Sequence, residues 1–149
     1  MAAGKHAVVL ALIGAGICIG CPPPTPAKAP GYEACGICFE SSEPLNLVRG
    51  LKVDSCAFQF RGRGLAVRGE HSAFVGQPEE RDRVRSLPGG GTRTRSKSPD
   101  SGNSVIGVWM PEEANSPPLG VRVEYEDRAS ERAAEQIVST VRRCGVPPM

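Results

Sequence analysis

The amino-acid sequence predicts an α+β domain. It should hold a small antiparallel sheet of about four strands, with a C-terminal helix packed on one apolar face and disulfides stapling the two. Three observations point there. Two stretches of chain alternate apolar and polar residues with period two, around Cys56 to Val67 and Leu119 to Glu126. A single segment near the C-terminus repeats its apolar residues at helical spacing. Finally, four of the six cysteines lie beyond the N-terminal segment, in a region rich in turn residues.

The sheet begins with a hairpin at roughly 55–69. Cys56, Phe58 and Phe60 point one way, and Ser55, Ala57, Gln59 and Arg61 the other. Gly62-Arg63-Gly64 supplies a short loop able to take positive φ, and Leu65 and Val67 resume the apolar face. A second pair of strands follows. Val105 to Met110 (VIGVWM) is apolar on both faces, as in a central strand. In the other, Leu119, Val121, Val123 and Tyr125 alternate with Gly120, Arg122, Glu124 and Glu126. Pro111 to Pro118 between them carries turn residues without a period.

A helix is predicted from about Arg128 to Arg143. Asp127 is its N-cap, Glu131 complements the dipole, and Ala133, Ile137, Val141 and Cys144 share one face. Gly145 caps and Pro147 stops it. Leu45 to Val53 fits either a helix opened by Pro44 or a broken strand. Residues 77–104 have almost no apolar content and contain Gly89-Gly90-Gly91, so they read as a long flexible loop with a basic centre at Arg93, Arg95 and Lys97.

The 149-residue chain leaves room for one domain, placed at 35–149. Seven aromatic residues are few for a core, while 14 prolines and 18 glycines describe a loop-rich fold that benefits from covalent staples. A formal charge of +2 exerts no strong pull on nucleic acid or acidic lipid, so no nucleic-acid partner is expected.

The N-terminus reads as an address. Lys5 precedes an uncharged run, Ala7 to Ile19, of signal-peptide length, and Pro22, Pro23 and Pro24 end any helix. Cys18-Ile19-Gly20-Cys21 resembles the lipobox of bacterial lipoproteins, with Cys18 where that family usually carries leucine. The resemblance covers residues 1–21 only. It implies cleavage before Cys21, acylation of Cys21 and a membrane anchor in the bacterial cell envelope, facing the periplasm or the exterior. An A-x-A site at Ala27-Lys28-Ala29 competes, but Pro30 directly after it obstructs that cleavage. Residues 21–34 read as a Pro-rich tether, stiff and extended.

Cys35, Cys38, Cys56 and Cys144 form an even set, which in an exported chain reads as two disulfides. One pairing joins Cys56 to Cys144 and closes a local Cys35–Cys38 ring. The other joins Cys35 or Cys38 to Cys56 or Cys144, and the sequence leaves both open. Cys35-Gly36-Ile37-Cys38 is similar to the redox motif of the thioredoxin-like family, which implies thiol–disulfide chemistry as an alternative function. A zinc site from the cysteines with His71 lacks a second C-x-x-C. His71 beside Ser72, or with Ser104, lacks a nucleophile elbow. Glu112-Glu113 and Glu124/Glu126 fit a loop and a solvent face rather than an acid pair. The glycine run lacks a phosphate-loop Lys-Ser/Thr. The expected function is therefore a non-enzymatic envelope domain binding another macromolecule, such as an inhibitor, an immunity-type protein or an assembly accessory, with no cofactor and no metal.

Overall fold

The computed structural model describes residues 28–52 and 55–145; the signal, lipobox and Cys21 readings lie outside that range. The described chain forms two antiparallel sheets and one α-helix. The larger sheet is a seven-stranded one rather than the four-stranded sheet the sequence predicts. Its order is β3-β4-β5-β9-β8-β7-β6. The strands are β3 (Asn46–Lys52), β4 (Cys56–Gly62), β5 (Leu65–His71), β6 (Arg83–Ser86), β7 (Thr92–Lys97), β8 (Ser104–Met110) and β9 (Leu119–Tyr125). Two meanders, β3-β4-β5 and β6-β7-β8-β9, meet where β5 pairs with β9 from Leu65↔Tyr125 to His71↔Leu119.

The three extra strands arise where the alternating pattern is weak. Within the ambiguous 45–53 segment, Asn46–Lys52 form an edge strand bulged at Val48, and Leu47 and Val48 are 60% and 56% exposed. β6 and β7 lie inside residues 77–104, which the sequence predicts to be a flexible loop. Their period is real but polar. Thr92, Thr94 and Ser96 take one face of β7, and Arg93, Arg95 and Lys97 the other. Hydrophobicity alone does not register such a strand; its ladder to the apolar β8 holds it. Gly89 and Gly90, at φ 73° and 78°, make the turn between β6 and β7.

The smaller sheet has the order β1-β2-β10, with β1 (Gly31–Ala34), β2 (Ile37–Glu40) and β10 (Arg142–Arg143). Residues 31–34, expected as the end of the tether, are therefore a strand. Ala34 pairs with Ile37 across a two-residue turn, Cys35-Gly36, with φ of 56° and 72°. Positive φ at both central positions is the type I′ geometry whose twist suits a hairpin. Holding a non-glycine residue there costs about 1–2 kcal/mol, and Cys35 is tied down by its disulfide to Cys56.

Helix α1 (Arg128–Thr140) and the small sheet together make a second layer over one face of the large sheet. Ala133, Ala134, Ile137 and Val138 bury against Ile106, Val108, Val121 and Val123. Ile37 and Phe39 of β2 cover Phe58 and Phe60 of β4. Phe39 stacks near-parallel to Tyr32 at 5.5 Å and meets Phe60 edge-on at 5.7 Å. Each such pair adds about 0.5–1.5 kcal/mol beyond area burial. Gly69 faces Phe58 across the β4–β5 ladder, and any Cβ at that position would collide with the ring.

The helix starts as the sequence predicts and ends earlier. Asp127 accepts the Ser130 backbone N–H at 2.8 Å, and the Ser130 side chain completes a reciprocal capping box. At the other end Thr140 donates its hydroxyl to the Gln136 carbonyl at 2.9 Å and accepts the Glu40 N–H at 2.9 Å. Val141 is already extended, and Arg142 and Arg143, expected in the last helical turn, instead pair with Cys38 and Ile37. Cys144 therefore belongs to the turn after β10 and not to the helix face.

Chiefly because the Ser130 N–H binds its carboxylate, Asp127 is held below the ordinary aspartate value of 3.8. A depressed carboxylate stabilises the fold above its unfolded value, and the contribution fades as pH falls through the folded one. Asp127→Ala should thus lower the urea midpoint at neutral pH. The gap from the parent should narrow in titrations carried below pH ~3.8; a gap that stays constant into acid would show that the cap charge contributes nothing.

Candidate functional site

The four predicted disulfide cysteines converge on the Cys35-Gly36 turn. Cys35 is bonded to Cys56 with Cα atoms 5.5 Å apart, and Cys38 to Cys144 with Cα atoms 5.1 Å apart. This is the second of the two pairings, with Cys35–Cys56 joining the small sheet to the large and Cys38–Cys144 joining β2 to the turn after β10; the local Cys35–Cys38 ring and the Cys56–Cys144 bridge do not form. The reason lies in the hairpin. Cys35 sits in the turn facing the start of β4, whereas Cys38 lies inside β2, directly opposite Arg142. The CGIC motif is thus a turn and a strand, not the N-terminus of a helix as in the thioredoxin-like arrangement. On the chain-entropy model the 21-residue and 106-residue separations correspond to about 3 and about 5 kcal/mol when each is taken alone.

His71 fastens the same junction. Arg143 donates an N–H to His71 Nε2 at 3.0 Å, so Nδ1 carries the proton and donates to the Cys35 carbonyl at 2.9 Å. Arg143 also donates to the Pro111 carbonyl at 2.8 Å, and the Cys144 N–H reaches the Gly36 carbonyl at 2.8 Å. With both ring nitrogens engaged, His71 hydrogen-bonds to neither the Ser72 nor the Ser104 hydroxyl. Ser72 donates to Glu70 at 2.6 Å, and Ser104 lies at the opposite end of the sheet, paired with Tyr125. Glu33 comes together with Cys38 and Cys144 within 4.8 Å, but the disulfide occupies both sulfurs and His71 is not part of that group. The zinc and hydrolase constellations are not assembled.

The basic residues of β7 are also engaged internally. Arg93 pairs with Glu135 of α1, Arg95 with Glu135 at 3.2 Å and with Glu131 at 3.7 Å, and Lys97 donates to Ser104. Partly exposed pairs of this kind contribute about 0–1 kcal/mol each; their effect is to set the helix across β7. Glu113 closes a loop with Ser116, and Glu124 accepts from Ser101 at 2.5 Å and Asn103 at 3.1 Å. The Ser101 hydroxyl is the chief reason Glu124 lies below the ordinary glutamate value.

What the sequence does not reveal is a concave site on the other face of the large sheet. Cross-strand register places Gln59, Arg68, Arg122, Gly107 and Thr94 in one row across β4, β5, β9, β8 and β7. Ala57, Glu70, Gly120 and Trp109 form the row beside it. The chain from β5 to β6 must cross β9, β8 and β7 to reach the far edge, and it does so over this face. Gly120 permits the approach, since a Cβ there would meet Val75 at 3.2 Å. Floor and crossover enclose an open cavity of about 610 Å³.

Three features set this cavity apart from the rest of the surface. Phe74 stands 76% exposed on the crossover beside it. Its backbone is fixed by Ser72, a residue only 3% exposed, whose hydroxyl accepts the Phe74 N–H at 3.2 Å. Gln59 Nε2 and Trp109 Nε1 are buried donors with no acceptor among the described residues, and both side chains line the cavity. Arg68 and Arg122 are exposed and directly opposed, without an ion pair among the described residues. Like charges in that arrangement are destabilising by themselves. The one available signal in sequence was Arg122 and Glu124 on the polar side of a strand, which reads equally well as solvent face.

No protein family, no curated protein and no solved structure matches this chain. Among the described residues no helix is long and apolar enough to cross a membrane.

Trypsin cannot cut between Cys35 and Cys38, so a non-reduced digest should give one cluster joining the peptides of Cys35/Cys38, Cys56 and Cys144. Separate Cys35–Cys38 and Cys56–Cys144 species would contradict the pairing.

Proposed function

We propose that this protein is a non-enzymatic binding domain of the bacterial envelope, which presents the concave face of its seven-stranded sheet to a protein partner. The observation that carries the reading is the asymmetry of the two faces. One is filled by the helix, the small sheet and the aromatic cluster. The other holds an open cavity, an exposed Phe74 and two donors without acceptors. An exposed aromatic beside a cavity, rimmed by arginine, has the composition of an interaction hot spot.

Export and anchoring belong to the same proposal. Two disulfides, one joining the small sheet to the large and one within the small sheet, suit an oxidising compartment, and the lipobox resemblance at Cys18-Ile19-Gly20-Cys21 supplies an address and a membrane anchor through acylated Cys21. The Pro-rich segment after Cys21 would hold the domain away from the bilayer. A thiol–disulfide role has less support, because Cys35 and Cys38 are bonded to different partners.

A photo-crosslinking residue at Phe74 of the full chain in bacterial cells should give a discrete adduct that the same residue at Arg132, exposed on α1, does not. Equal adducts at both positions, or none at position 74, would sink the binding reading. The address is checked by intact mass of protein from the membrane fraction: the chain should begin at acylated Cys21, and a mass retaining residues 1–20 would refute the anchor.

A further inference from the structure

The exposed ring of Phe74 stands between two carboxylates. On the cavity side one buried hydroxyl joins aromatic and acid: Ser72 Oγ donates to Glu70 Oε1 at 2.6 Å and accepts the Phe74 N–H at 3.2 Å. Ser72 occupies only one oxygen of Glu70, and the residue lines the cavity. On the other side Ala73, next to Phe74 in the chain, shares a shallow hollow with Glu112, Pro117 and Pro118. Neither Glu70 nor Glu112 forms an ion pair among the described residues. Phe74 itself is 76% exposed, so most of its ring is open to a partner.

Strand register segregates the charges of this face. Three carboxylates, Glu70, Glu79 and Asp82, line the cavity against two arginines, Arg68 and Arg122. The arginines oppose each other in one cross-strand row. Glu70 lies in the next row, opposite Gly120, and Val75 passes over that glycine. Two residues along a strand span about 6.6 Å, so the acid sits beneath the crossover and the cations stand one step away from it. Glu79 and Asp82 belong to the crossover itself. Arg81 meets Glu79 at 2.7 Å, whereas Asp82 is partly buried and has no ion pair among the described residues. The crossover side of the cavity is thus acidic, on a chain whose formal charge is +2.

An open aromatic face beside a carboxylate suits a guanidinium. The ring quadrupole attracts the cation, the planar group stacks on the ring, and its N–H fork donates to the acid. Resting on the binding reading above, we infer that the protein partner projects an arginine onto Phe74, with its guanidinium stacked on the ring and hydrogen-bonded to Glu70. Glu112 borders the same ring from the hollow and keeps the local field negative. Arg68 and Arg122 repel the guanidinium from the centre of the floor and so confine it to the rim. A neutral side chain of the same shape would stack without the charge, and an acidic one would meet Glu70 and Glu112 as like charges.

Trp109 is the only tryptophan in the chain and lines the cavity beside Gly120, so its emission reports occupancy. The oxidised full-length chain, in non-ionic detergent, is titrated with a capped pentapeptide carrying a central arginine. Its citrulline counterpart, which keeps the shape and loses the charge, and its glutamate counterpart are titrated alongside. The arginine peptide should give a saturable change in emission that weakens as salt is added. Binding should fall by about tenfold for citrulline, and by a similar factor in Phe74→Leu or Glu70→Gln. Glu70→Gln keeps an oxygen for the Ser72 hydroxyl, and Phe74 is exposed, so neither change threatens the fold. Arg132→Gln on α1 should bind as the parent does. No saturable response to the arginine peptide overturns the inference, as does equal binding of the citrulline peptide or by Phe74→Leu. Tighter binding of the glutamate peptide does so too and assigns the site to Arg68 and Arg122. Failure here is distinct from failure of the binding reading. If the photo-crosslinking residue at position 74 gives the same adduct in Glu70→Gln as in the parent, the surface is right and the arginine is wrong.

Discussion

Everything in this fold depends on one covalent and hydrogen-bonded knot at the Cys35-Gly36 turn. The turn itself is strained at Cys35, where φ is 56°. Four tethers hold it: the Cys35–Cys56 bond to β4, the His71 ring donating to the Cys35 carbonyl, the Cys144 N–H on Gly36, and the Cys38–Cys144 bond one strand away. The small sheet contributes only short strands, which would be marginal by themselves. Tied at this point to the large sheet and to the end of the chain, it becomes a lid for Phe58 and Phe60.

The knot also explains how so few aromatics suffice. Tyr32, Phe39, Phe58 and Phe60 are gathered into one cluster under the small sheet, with centroid separations between 5.5 and 6.3 Å. The rest of the inner face is covered by the helix with alanine, isoleucine and valine, which allow close approach. The lone tryptophan is spared from that core and lies on the opposite face. A core completed on one side of the sheet leaves the other free to be shaped by the crossover, and there the structure carries its unmatched donors and cations.

Reach and cost meet in the crossover between β5 and β6. Because β5 ends in the middle of the sheet and β6 begins at its edge, the connection must pass over a face. It is anchored early, where the buried Ser72 accepts from Phe74 and donates to Glu70, and where the Ser72 N–H reaches the Pro118 carbonyl at 3.2 Å. It then runs against Gly120, whose missing side chain makes room for Val75. Phe74 is exposed as a consequence of this routing, not as a surface accident.

How much was legible in sequence follows from what each element rests on. The sequence by itself determined the hairpin of β4 and β5, the strands β8 and β9, and the start of α1. Each is written in local terms: apolar alternation, a positive-φ glycine at Gly64, and a capping Asp127. It also determined that four cysteines would serve as staples. Only the tertiary structure decided their pairing, because distance in space and not along the chain selects among cysteines. It likewise decided β3, β6 and β7, polar or bulged strands that exist because a neighbour offers a ladder, and the end of the helix, where β2 captures Arg142 and Arg143. The concave site belongs wholly to this second group. Gln59, Arg68, Trp109 and Arg122 are scattered over more than fifty positions, and each alone resembles an ordinary strand residue. Strand order brings them together, and strand order is fixed by long-range pairing that local patterns do not encode.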